Sequence, residues 1–278
     1  MQNQYQIDQG TILYGVGSSK YPDVPCYGII ITASCDIANN KVSKYYYLLG
    51  VDVYDWLKSS HCLKYIFGSD IIKKIEEQTK IISKFELDAD TLLKFNQDEV
   101  NKVIANNKPN DIKKIQNSLT ILKKAKQIST ISELNEISIK FEKKINNKLK
   151  EINQGREVHY YYLPQNAYKN NGVMNSGLII DLQEIGFLLP KVAEIVIQQR
   201  GIDINTIHNL EKNDFDFVQI LKRNFYLKNS DSIIDIEGNI CSPWREHLMQ
   251  RFSQGFIRIG LDGATDSDFK EITNRILD

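Results

Sequence analysis

Apolar and polar positions along the chain follow two periods, and the switch between them divides the sequence. The run Tyr27-Gly28-Ile29-Ile30-Ile31-Thr32 is continuously apolar and rich in β-branched residues, the pattern of a strand buried on both faces. Before it, Gln9-Gly10 leads into Thr11-Ile12-Leu13-Tyr14 and a glycine and serine turn from Gly15 to Ser19. After it, a polar turn at Asn39-Asn40 precedes Lys44 to Val53 (KYYYLLGVDV), an aromatic-rich third strand.

From Asp55 to about Asn153 the period changes to that of helices. Only Pro109 and Gly68 punctuate this stretch, and both residue types are frequent wherever β structure turns. Ile112, Ile115, Leu119 and Leu122 form one apolar stripe, with Pro109-Asn110 at its start. Leu134, Ile137, Phe141, Ile145, Leu149 and Ile152 form a second, with Ser132-Glu133 near its start. Each stripe is too narrow to be stable alone, which predicts an antiparallel helical hairpin.

Strand patterning returns at Glu157 to Leu163 (EVHYYYL) and Ser176 to Leu182 (SGLIIDL), and Leu188-Leu189-Pro190 closes the block. Val192 to Gln199 fits a last strand or a short helix, and Thr206 to Ile236 has no clear period. A final helix is predicted from Pro243 to about Ile259. Ser242 stands at its N-cap, and Trp244, Leu248, Phe252, Phe256 and Ile259 form its apolar stripe. The expected organisation is therefore α+β. Residues 1–54 and 156–200 form a β-barrel-like domain, 55–155 a helical insertion, and 201–278 a C-terminal helical region.

Composition narrows the setting. Lys plus Arg equals Asp plus Glu at 35 each, so any nucleic-acid or membrane contact must use a local patch. The opening MQNQYQIDQG has neither a basic n-region nor an apolar h-region, and no apolar run approaches the length of a membrane span, so a cytoplasmic location without membrane contact is expected. Cys26, Cys35, Cys62 and Cys241 are too few and too irregular for a disulfide framework and read as free thiols.

Candidate chemistry gathers in two places. The turn Ser34-Cys35-Asp36 follows the buried run, where a strand end projects several polar groups into one loop. Cys35 acts as a nucleophile there if His159 or His247 folds beside it. Otherwise it is a small buried hydrophobe and Asp36 caps the turn. Cys26, Cys35, His61, Cys62 and His159 are metal-ligating types, but no C-x-x-C or H-x-x-x-H pair occurs among them, so no metal is assigned. With no phosphate-binding glycine loop, G-x-S-x-G elbow or H-E-x-x-H, no cofactor is assigned either.

All seven arginines follow residue 155, and the guanidinium offers phosphate a planar fork that lysine lacks. Arg245, His247, Arg251 and Arg258 lie on the final helix. The latter three share a face that holds an anionic ligand, an RNA backbone or an acidic partner, or else is a solvated face with internal pairs. The lysine-rich middle reads first as a solvated helical hairpin and second as a basic surface for nucleic acid, the scarcity of aromatic residues to stack on bases favouring the first.

Gly10-Thr11-Ile12-Leu13 followed by Tyr27 to Ser34 resembles the start of the MazF/PemK-like SH3-type barrel, in which a G-D-I-V-like strand leads into an R-P-V-V-V-L-S-like one. Ser176 to Leu182 and Leu188-Leu189-Pro190 resemble its closing strands. The resemblance covers about a third of the chain. It implies a small barrel interrupted by the helical segment and a metal-independent endoribonuclease that works through an arginine and a serine or threonine. Ser34 matches the end of the second strand. Pro25-Cys26 stands where the family has R-P, and the first arginine is Arg156, so the cation that stabilises a developing phosphorane would have to come from there. The S-C-D-I turn paired with S-P-W-R-E-H-L is also similar to uncharacterised bacterial proteins associated with phage defence. Two functions follow as expectations. One is an RNA-directed protein of toxin or defence type with Ser34, Cys35, Asp36, Arg156 and His159 at its site. The other is a non-catalytic module that holds a protein partner through the helical insertion or the final helix.

Overall fold

The fold is that of a computed structural model describing residues 6–170, 176–199, 202–203, 218–219, 221–222, 225–226 and 233–257. It is α+β. The strands are β1 (Thr11–Val16), β2 (Cys26–Ile30), β3 (Tyr45–Asp52), β4 (Tyr160–Leu163), β5 (Tyr168–Asn170), β6 (Leu178–Leu188), β7 (Ile202–Asp203) and β8 (Ile233–Ile240). They follow the order β4-β6-β3-β2-β1-β8-β5, with β7 also paired to β8. Every ladder among the described residues is antiparallel.

The sheet is strongly curled, for a covalent reason. β4 and β5 are its opposite edges, yet only Pro164–Ala167 separate them in the chain. That link reaches at most about 17 Å, whereas seven strands laid flat would hold the edges roughly 29 Å apart. The edges approach without pairing, so the sheet is open rather than the closed SH3-like barrel expected. β8, from the stretch assigned to a C-terminal helical region, is a further correction: it lies between β1 and β5. Its period was obscured because a register shift between Ile12 and Leu13 of β1 breaks the alternation opposite Gly238 and Ile236.

Curling gives the sheet two apolar faces. Ile12, Ile29, Leu48, Leu163, Ile180 and Ile240 are buried inside the curl, closed over by Leu248 of the last helix. Leu13, Ile30, Leu49, Val51 and Ile179 face outward into a core shared with Trp56, Cys62, Leu63, Ile66 and Phe67. All five residues of β2 are buried, which accounts for its unbroken apolar run.

The helices are α1 (Ser34–Ala38), α2 (Val53–Lys58), α3 (Ser60–Ser83), α4 (Ala89–Lys94), α5 (Gln97–Ile104), α6 (Pro109–Gln127), α7 (Glu142–Asn153), α8 (Pro190–Gln199) and α9 (Trp244–Ile257). Pro109 opens α6 as its spacing predicted. The second stripe is not one helix: Ile131–Ile137 is a 3-10 turn ending at Ser138 in the left-handed region (φ 60°), and α7 begins afterwards. The antiparallel partner of α6 is α3. α3 spans two cores, with Phe67 in the outer sheet core and Ile82 in a third cluster with Leu92, Val100, Ile115 and Leu122. The helical segment therefore completes the outer core instead of hanging from it.

Candidate functional site

The first group of candidate residues is divided between two places. Ser34, Cys35 and Asp36 form the start of α1, which buries none of its side chains. Cys35 is exposed, so it is not the buried hydrophobe of the structural alternative; its Sγ lies 3.8 Å from Asp36 Oδ1. Arg156 and His159 stand just before β4, also exposed. The Arg156 N–H donates to the Glu151 carbonyl (2.9 Å), and the His159 carbonyl accepts from the Leu182 N–H (2.9 Å). Ladder geometry keeps the groups apart. α1 follows β2 beside the start of β3, whose Tyr45 pairs with Leu188, whereas His159 is bonded at Leu182 across β6. Because a register shift between Leu48 and Leu49 takes up the extra residues of β6, those levels lie between three and four residues apart along β3, on the order of 12 Å, and no hydrogen bond or ion pair joins the two groups among the described residues.

The basic residues of α9 are turned toward the protein more than a free binding face requires. Arg251 Nη2 donates to the Glu157 carbonyl (2.9 Å) and Nη1 to Gln254 Oε1 (3.4 Å), and its buried Nε has no hydrogen-bond partner among the described residues. The guanidinium lies over Gly155, which has φ 67° and where an added Cβ would stand 3.3 Å from Cζ. His247 is exposed, with Nδ1 3.0 Å from the Tyr161 hydroxyl. Burial pushes the Tyr161 phenol up to about 12, with the Arg251 charge opposing. Arg245 pairs with Glu246 (2.8 Å), and its side-chain carbons cover Gly10. Arg258 lies outside the described residues.

Two further groups escaped the sequence reading. Outside the curl, Lys20 Nζ pairs with the buried Asp181, and His61 Nε2 lies 2.7 Å from the Tyr160 hydroxyl. Burial, reinforced by the Lys20 charge, lowers the His61 pKa; burial together with Asp181 raises that of Tyr160. These contacts fasten the loop after β1 to β4, β6 and α3. They border a cleft of about 290 Å³ lined by Tyr21, Asp23, Asp55, Lys58 and Ser60 among others.

The second group lies inside the curl, at the end where β3 begins. Tyr46 stands opposite Phe187 and Leu48 opposite Ile185. Directly opposed residues share a face, so all four point inward, but only Leu48 is covered. Tyr46 and Ile185 are each 47% exposed, and Phe187 is half-buried beneath Lys44, whose Nζ lies 4.2 Å from the ring centroid. The Tyr46 N–H donates to Thr32 Oγ1 (2.7 Å), fixing the strip beside the β2–α1 turn. The sequence signal was the aromatic run of KYYYLLGVDV, but its period does not say where cover stops.

Among the described residues, no group of three or more His, Cys, Asp or Glu side chains is placed to hold a metal ion, and no helix is long and apolar enough to cross a membrane. Comparisons with protein-family models, with curated proteins and with solved structures returned no match.

Proposed function

We propose that this is a nucleic-acid-directed protein that holds single-stranded RNA on the uncovered end of its curled sheet. The supporting observation is the strip of Tyr46, Ile185 and Phe187 with Lys44 alongside. Exposed aromatic rings on a sheet stack unpaired bases, and neighbouring ammonium groups meet the phosphates. The resemblance of the opening strands to the MazF/PemK-like barrel points to the same ligand class. The separation of Ser34, Cys35 and Asp36 from Arg156 and His159 supports binding over cleavage, because acid–base chemistry needs its groups within hydrogen-bond reach of one scissile phosphate.

Stacking contributes about 1–3 kcal/mol per base. Tyr46→Ala should therefore weaken binding of a fluorescent mixed-sequence RNA by about 5- to 150-fold, measured by anisotropy. Lys44→Gln should flatten the salt dependence. Failure of the native chain to bind, or affinity unchanged by Tyr46→Ala, sinks the proposal. The same RNA incubated in EDTA should stay intact. Cleavage abolished by Cys35→Ala, Arg156→Ala or His159→Ala would instead establish the endoribonuclease.

The second reading, a module that holds a protein partner, draws on exposed Ile72, Phe95 and Val103 in the helical segment. Co-purification of one protein that Ile72→Asp and Val103→Asp release would favour it.

A further inference from the structure

The loop joining β1 to β2, residues 17–25, is held down by its side chains: among the described residues, no backbone-to-backbone hydrogen bond ties it to another element. Lys20 pairs with Asp181 and reaches over the Tyr160 ring, 5.6 Å from its centroid. Tyr21 is buried and meets the His61 ring edge to face, with centroids 5.4 Å apart. Further along, the Tyr226 hydroxyl donates to the Asp23 carbonyl (3.2 Å). The same loop forms one wall of the cleft of about 290 Å³, and α2, the start of α3 and Ser129-Thr130 form the others.

The half of the loop with Lys20 and Tyr21 is thus docked on one group of side chains. Asp181 stands directly opposite Tyr160 in the β4–β6 ladder, so both leave the sheet on the same face. The Tyr160 hydroxyl lies 2.7 Å from His61 Nε2. Lys20 and His61 therefore converge on Tyr160 and Asp181 from two different elements. Asp181 is 2% exposed and has both oxygens engaged, Oδ2 by Lys20 and Oδ1 by the Gln183 N–H (3.0 Å). One buried carboxylate balances one cation. A proton on His61 places a second beside it.

The charged and titratable groups that face His61 are Lys20 and Tyr21 from the loop, Tyr160 from β4, Asp181 from β6, and Lys64 and Tyr65 from α3 itself. Behind Tyr65, Lys148 and Glu157 pair with each other. Burial and then Lys20 oppose the imidazolium, while Asp181 favours it. Such coupling is reciprocal: as docked Lys20 opposes a proton on His61, so a proton on His61 opposes the docking of Lys20. Departure of Lys20 does not strand Asp181, because the imidazolium supplies the counter-charge.

We propose that residues 17–22 form an acid-released strap. With His61 neutral the strap lies docked and narrows the cleft. A proton on His61 displaces Lys20 from Asp181, lifts Tyr21 and opens the cleft, while the Tyr226 contact keeps the far half of the loop in place.

Trypsin reads the displacement directly, because cleavage after Lys20 needs its side chain free of Asp181. Brief digestion of the full chain at pH 7.5 and 5.5 gives cleavage after Lys20 relative to cleavage after the exposed Lys41, a ratio that cancels the pH dependence of the protease. The ratio should rise at the lower pH, by at most about tenfold per pH unit for a single proton, with the far-UV circular dichroism unchanged. His61→Gln keeps a group for the Tyr160 hydroxyl without a titrating proton and should hold the ratio at its pH 7.5 value. Lys20→Gln should raise the pKa of His61, followed by NMR of the imidazole, since the opposing charge is gone. A ratio equal at the two pH values, the same rise in His61→Gln, a rise only together with loss of the dichroism signal, or a His61 pKa unmoved or lowered in Lys20→Gln would each overturn the proposal.

Discussion

His61 shows how one side chain takes its properties from neighbours remote in sequence. Its partner Tyr160 is 99 residues away, and its charge is opposed by burial and by Lys20, with Asp181 pulling the other way. Because the pKa falls from the ordinary 6.5 on folding, the unfolded chain binds the proton more readily. The folded state should thus hold its full His61 contribution above about pH 6.5 and lose it as pH drops toward the lowered value. Urea denaturation at pH 7.5 and 5.5 measures this. His61→Gln, which retains a hydrogen-bonding group for Tyr160, should show a smaller loss between the two pH values. An identical loss in both proteins would mean that other groups carry the dependence.

At the scale of elements, α9 illustrates a stripe read correctly and a polar face read incompletely. Leu248 is fully buried in the inner core, with Trp244 and Phe252 partly buried against it; the side chain of Phe256 lies outside the described residues. Helical spacing was enough for that, since an apolar stripe must find a core. Spacing could not show that Arg251 reaches back to the Glu157 carbonyl over Gly155. A charge-assisted bond of this kind contributes about 1.5–3 kcal/mol. Arg251→Ala should lower stability by about that much in denaturant unfolding, whereas Arg245→Ala, which breaks a surface pair with Glu246, should cost less than about 1 kcal/mol. Equal effects would show that Arg251 is not a fastener. The 3-10 turn and the left-handed Ser138 were similarly hidden, because the apolar positions keep a helical period on both sides of the break.

At the scale of the molecule, the decisive feature is the outer core shared by sheet and helices. Cys62, Leu63, Ile66, Phe67, Ala125, Ile131, Leu134 and Ile137 are buried in the same cluster as strand residues Leu13, Ile30 and Val51. Replacing residues 60–150 with a short linker would strip one face of the sheet, and each large buried apolar side chain lost removes roughly 1.5–3 kcal/mol of burial. The shortened chain should fail to fold, seen as loss of cooperative thermal unfolding. A shortened chain that melts cooperatively would restore the picture of a removable insertion.

Local pattern determined the α+β class, most strand positions before residue 190, the helical character of 55–153 and the docking stripe of α9. Each depends on periodicity or on a capping residue within one element. Closure, partners and sites were decided only by tertiary structure. The curl follows from a short link joining two edges whose pairing no local pattern encodes. The grouping of Lys20, His61, Tyr160 and Asp181 and the exposure of Tyr46 depend on which strands lie side by side and where the covering helix ends. Side chains distant in sequence meet through ladder register and shared cores, and single-chain periodicity carries no information about either.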